Sequence, residues 1–122
     1  AELLADPAST AVLVYPTKAL AQDQLRSLRR LCGSLVAHGV PEDSLTCACL
    51  DGDTPPRERT RVRRAARVVL TNPDMLHSHL LPKNMDYSRL LESLRYVVLD
   101  EMHVYRGAFG AHAACVLRRV RR

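Results

Sequence analysis

Four short, almost wholly apolar runs punctuate the chain: TAVLVYP (10–16), LTCACL (45–50), RVVLTNP (67–73) and RYVVLDE (95–101). Each is brief, rich in residues that suit a pleated surface, and followed by a polar or proline-containing turn, so each predicts a strand. None alternates apolar with polar residues, as a strand with one wet face would. Strands that read apolar throughout are covered on both faces, the situation of a parallel sheet held between helices.

The intervening stretches carry a helical period. In TKALAQDQLRSLRRLCGSLVAHG, residues Leu20, Gln24, Leu28, Leu31 and Leu35 recur on one face, joined by Leu25 and Cys32, with arginines opposite. Thr17 is placed to cap this helix, and Gly39 then Pro41 to stop it. GVPEDSL (39–45) reads as a loop. TPPRERTRVRRAA predicts a second helix, with Thr54 as its cap and Pro55 at its first position. PDMLHSHL and YSRLLESL predict two more. FGAHAACVLRRV predicts the last, with Ala113, Val116, Leu117 and Val120 inward. The expected fold is therefore α/β over residues 1–122, a three-layer parallel sheet with helices on both faces.

Other classes fall away. No apolar run approaches the ~20 residues that span a bilayer, so no membrane partner is expected. The N-terminal residues show no basic segment leading into an apolar one, so no secretory signal is predicted. Four cysteines suggest no disulfide scaffold and point to a reducing compartment. Cys47 and Cys49 share a strand face, but with Cys32 and Cys115 they match no standard zinc spacing, so core packing is expected. The balance of charge is +5, and all the cations but Lys18 and Lys83 are arginines. Guanidinium forks pair well with phosphate, which makes nucleic acid a natural partner, although an arginine-rich genome would leave the same count on a solvated surface. Arg57, Arg61 and Arg64 share a helix face and are read as solvated. His79 is expected at the surface or capping a helix.

Ligands of open α/β sheets bind beyond the carboxyl ends of the strands. Those ends are PTK (16–18), DGDT (51–54), TNPD (71–74) and DEMH (100–103). Thr, Asp, Asn and Pro are also what any strand-to-helix turn needs as caps; four such turns in one chain favour a shared phosphate-facing surface. A carboxylate after a buried strand, here Asp100, can hold Mg²⁺ through its waters, and the next, Glu101, can act as a general base on a water.

DEMH resembles motif II of the DExH branch of superfamily-2 helicases, and PTKALAQDQ (16–24) their motif Ia. DGDTPPRER (51–59) and TNPDMLH (71–77) resemble the nucleic-acid-contacting turns between the two. The strings DGDTP, TNPDMLH and DEMHVYRGAFGAH are most similar to the MrfA/YprA-type DNA repair helicases and their fungal relatives. The resemblance covers essentially the whole chain, with its motifs in order. It implies a RecA-like lobe that uses ATP and Mg²⁺ to translocate along and unwind DNA, 3′ to 5′, in DNA repair. Asp100 would organise Mg²⁺, Glu101 would activate the attacking water, and His103 would couple nucleotide to nucleic acid. Pro16, Thr17, Lys18, Gly52, Asp53, Thr54, Thr71, Asn72 and His77 would lie along the sugar-phosphate backbone, with Arg106 near the junction of the two sites. The DNA would be single-stranded, or a duplex with a tail; the residues themselves do not separate DNA from RNA. Such a protein works in the bacterial cytoplasm beside the nucleoid, or in the eukaryotic nucleus.

The 122 residues contain no G-x-x-x-x-G-K-[ST], the loop that cradles phosphates in this fold, nor the motifs of a second ATPase lobe. The expectation is a partial first lobe lacking the P-loop strand. It would need the rest of its parent helicase, would be inactive in isolation, and would expose apolar sheet edges. The alternative is a degenerate lobe serving as a nucleic-acid-binding or scaffolding module. A flavodoxin-like signalling domain is set aside, because the first strand ends in Pro16 and Thr17 rather than in a phospho-accepting aspartate.

Overall fold

A computed structural model of the chain describes residues 2–83 and 85–120; the side chains of Ala108, Phe109 and His112 lie outside the description. The elements run α1 (Glu2–Ala5), β1 (Thr10–Val14), α2 (Lys18–Ala37), β2 (Cys47–Cys49), α3 (Pro56–Arg64), β3 (Val68–Thr71), α4 (Pro73–Met75), α5 (Ser88–Glu92), β4 (Leu94–Leu99) and α6 (Gly107–Val120). Short 3₁₀ turns cover Glu42–Ser44 and Met102–Val104, and α4 widens into a π turn over Leu76–Leu80.

The four strands form one parallel sheet in the order β2-β3-β1-β4. Side chains alternate across it. Val12, Val14, Ala48, Leu50 and Val69 pack on one face against Val62, Met75, Leu76, Leu80, Tyr87, Leu90 and Val116. Tyr15, Cys47, Cys49, Val68 and Leu70 pack on the other against Ala21 and Leu25 of α2. Helices thus cover both faces, as the apolar strands require. Each fully buried leucine or valine contributes about 1.5–3 kcal/mol.

The helix ends follow their capping residues. Thr17 Oγ1 accepts from the Leu20 N–H at 3.2 Å, and Gly39 takes φ +94 beyond the end of α2, where a left-handed residue closes a helix cheaply. Burial fixes Cys47 and Cys49 in the core, pushing their thiols up to about 12 and about 11, so both stay protonated. Among the described residues no group of three His, Cys, Asp or Glu could hold a metal ion, and no helix is long and apolar enough to cross a membrane.

Several expectations need correction. α3 starts at Pro56, and Thr54 is not its cap, because its hydroxyl closes the turn before it. The buried stripe of α2 centres on Ala21 and Leu25, leaving Leu31 56% exposed at its border. Helix α1 was not foreseen; four residues are too few to show a period. The buried guanidinium of Arg67 ties it down, donating to the carbonyls of Leu3, Asp6, Ser9 and Ser44. Strand β4 is apolar but not doubly covered, an exposed apolar edge of the kind expected of a partial lobe. It lies at the sheet edge, with Tyr96, Val97 and Val98 37–48% exposed.

Candidate nucleic-acid and nucleotide interface

Parallel pairing brings the four strand ends to one edge. Val14 is in register with Thr71 on one side and Leu99 on the other, and Cys49 with Leu70. The turns after the strands therefore line up in the order 51–54, 72, 16–18, 100–103. The first and last are three strand spacings apart, on the order of 14 Å.

At the β2 end, Asp51 builds the turn. It is 5% exposed, and its Oδ1 accepts from the Asp53 N–H at 2.8 Å and the Thr54 hydroxyl at 3.3 Å. Its own N–H donates to Thr54 Oγ1 at 2.8 Å, and its Oδ2 accepts from Gln22 Nε2 at 3.4 Å. A buried carboxylate with this many donors is a satisfied one. Asp53 points outward and pairs with Lys18 Nζ at 2.9 Å, across from the start of α2. That hydrogen bond holds the Lys18 ammonium above the ordinary lysine value. Gly52 is exposed, and a Cβ there would meet only the tip of Lys18, at 3.5 Å. The fold itself thus sets no demand for glycine at 52.

At the β3 end, Asn72 Oδ1 accepts from the Met75 N–H at 2.8 Å and caps α4. Thr71 is 1% exposed and its hydroxyl donates to Leu50 O at 2.8 Å, so this side chain ties β3 to β2 and does not face outward as the sequence suggested. His77 is exposed and lies 2.8 Å from Arg119 Nη1 of α6. His79 neither caps nor stands free in solvent: its Nε2 lies 2.9 Å from Arg59 Nη1 and 3.0 Å from the Tyr87 hydroxyl. Burial and then the neighbouring cation Arg59 hold it below the ordinary histidine value. Arg57, Arg61 and Arg64 are exposed, in keeping with the solvated reading.

At the β4 end, Asp100 is half-buried. Its N–H donates to Val14 O at 3.0 Å, and its Oδ1 accepts from the Glu101 N–H at 2.9 Å. Its carboxylate adds to the effect of burial on two phenols, raising Tyr15 and pushing Tyr105 up to about 12. Glu101 adopts φ 53, ψ 43, a left-handed conformation that costs a non-glycine residue roughly 1–2 kcal/mol. Its Oε2 lies 3.2 Å from His103 Nε2, and both side chains are exposed. Arg106 is exposed beyond the 3₁₀ turn. Gly110 explains the close packing that follows: a Cβ there would stand 2.2 Å from the Tyr105 carbonyl oxygen. Asp100, a half-buried carboxylate at the strand end, suits an Mg²⁺ held through waters and phosphates, which needs no all-protein cage.

The sequence reading singled out Pro16, half-buried, and the exposed Thr17 and Lys18, but it missed Asp51, Arg59 and Gln22. The Asp-x-Asp-Thr spacing of an Asx turn could have signalled Asp51; nothing local signals the other two.

The profile of DEAD/DEAH box helicases matches residues 2–122. The chain belongs to that family. It is 45% identical over 121 residues to the ATP-dependent helicase HRQ1 of Saccharomyces cerevisiae, covering 98% of this chain and 11% of that protein. It is 46% identical over 117 residues to the ATP-dependent helicase YprA of Bacillus subtilis, covering 96% of this chain and 15% of that one. The structure of the helicase MrfA bound to DNA and AMPPNP superposes with a TM-score of 0.86 at 41% identity, over 98% of this chain and 17% of that one. The chain thus spans less than a fifth of each of these relatives, and its fold is that of part of their RecA-like lobe.

Proposed function

We propose that this segment is the stretch from motif Ia to motif II in the first ATPase lobe of a longer, ATP-dependent DNA helicase. The observation that carries this reading is the single sheet edge on which the Lys18–Asp53 turn and the Asp100–Glu101 pair both stand. DNA is preferred over RNA as the partner because a similar helicase has been solved with DNA. A bound Mg²⁺–ATP would supply the anhydride whose cleavage drives movement. Asp100 would hold Mg²⁺ through water, and Glu101 would take the proton of the attacking water as general base. His103, paired with Glu101, would link that event to the strand. Pro16, Thr17, Lys18, Gly52, Asp53, Thr54, Asn72 and His77 would follow the sugar-phosphate backbone and position it without reading bases. Arg106 would sit between the two sites. Residues 1–122 alone would not hydrolyse ATP, needing a P-loop segment and a second lobe from the parent protein. Its setting would be DNA repair, in the bacterial cytoplasm or the eukaryotic nucleus.

The test is DNA-stimulated ATP turnover in the full-length protein. Glu101→Gln should lower turnover by about 10²-fold or more while DNA binding persists. Normal turnover by that variant would overturn the role of Glu101. DNA-stimulated hydrolysis by residues 1–122 alone would overturn the partial-lobe reading.

A further inference from the structure

Arg59 of α3 has no part in the proposed function, yet its guanidinium reaches the carbonyls of Asp51, Gly52 and Thr54 and the ring of His79. Its Nε donates to Thr54 O at 2.9 Å, and its Nη2 to Asp51 O at 3.2 Å and Gly52 O at 3.4 Å. Its Nη1 meets the His79 ring, which in turn meets the Tyr87 hydroxyl. Tyr87 is buried, packed edge-on against His79 at 5.7 Å. One guanidinium thus fastens the turn after β2 to the segment after β3.

The peptide group is planar and trans, so a carbonyl and the N–H that follows it point in opposite directions. The Asp51 carbonyl accepts from Arg59 as well as from the Thr54 N–H, so the Gly52 N–H of the same peptide points away from both donors, at an exposed residue. All three kinds of guanidinium nitrogen are engaged inside the protein, so Arg59 acts through the turn rather than on a ligand. A lysine could not replace it: one ammonium cannot span a fork of carbonyls and an imidazole.

We propose that Arg59, seated on His79, is a positioning residue that presents the 51–54 turn to the phosphate backbone of the bound strand. The inference rests on the proposed function in taking that turn as a DNA contact. It also makes the grip sensitive to acid. His79 accepts from Arg59 only while neutral. Protonated, it would face Arg59 and Arg63 of α3 and Lys83 of the following turn, offset only by Asp86, with Tyr87 the remaining neighbour.

The experiment is binding of a labelled oligo-dT strand by the full-length protein, as wild type, Arg59→Lys and His79→Gln, across salt and pH. Arg59→Lys should weaken binding roughly fivefold, the worth of about one hydrogen bond, with an unchanged slope of affinity against salt. Wild-type affinity should fall as pH drops below the ordinary histidine value of 6.5, and His79→Gln, which cannot charge, should lose that dependence. Equal binding by Arg59→Lys would overturn the proposal alone. So would a salt slope reduced by about 0.7, which would mean that Arg59 itself touches phosphate. A pH profile of His79→Gln matching wild type would overturn the role of His79. Failure of the wild type to bind would overturn the proposed function and this inference with it.

Discussion

The two ends of the candidate interface are built in opposite ways. The 51–54 turn is assembled from within: Asp51 is buried, and Thr54, Gln22 and Arg59 hold it through hydrogen bonds that owe nothing to a ligand. The 100–103 turn is open. It follows an exposed edge strand, its acid pair is bonded mainly to itself and to His103, and Glu101 sits in a left-handed conformation. A surface that must hold a strand in one register gains from rigidity before binding. A carboxylate that must meet a nucleotide can be completed by what docks against it, and backbone strain is commonly stored at such places.

Four substitutions would sharpen or break this contrast, with stability followed by denaturant unfolding. The largest effect should come from Gly110→Ala. Alanine in a helix normally stabilises, but here its Cβ would press on the Tyr105 carbonyl, and a loss of about 2–3 kcal/mol is expected. A gain would mean that the open end is looser than its backbone packing suggests. Next is Asp51→Ala, which leaves buried donors unpaired and should cost about 2 kcal/mol, whereas Asp100→Ala should cost under ~0.5 kcal/mol. Equal losses would erase the distinction between a self-built turn and an open one. The smallest is Glu101→Gly. Relief of the left-handed conformation should stabilise by up to ~1 kcal/mol, even though the proposed role of Glu101 predicts a loss of ATP turnover in the parent protein. Destabilisation there would show that the Glu101–His103 pair outweighs the strain.

Much of the molecule was legible in its residues. The four strands, the long helix with its Thr17 cap and its Gly39 stop, and the sites at the strand ends follow from local patterns: apolar runs, helical period and turn chemistry. The resemblance carried by DGDTP, TNPDMLH and DEMH is likewise a matter of strings in order. Individual side chains were harder. Thr71 looked like a ligand contact and proved to be a buried tie to Leu50, because a threonine at a strand end has the same sequence signature whichever way its hydroxyl turns. His79 looked like a surface residue until Arg59, 20 positions earlier, and Tyr87 were brought against it.

What the sequence determined by itself was which segments would be the strands and the longer helices, since those depend on neighbours within a few residues; the four residues of α1 were too few to show a period. Which strand lies beside which was decided only by the tertiary structure. The order β2-β3-β1-β4 leaves an apolar strand at the edge and sets Lys18 against Asp53. Those contacts join residues distant in the chain, and their energy comes from shared burial that no local window contains.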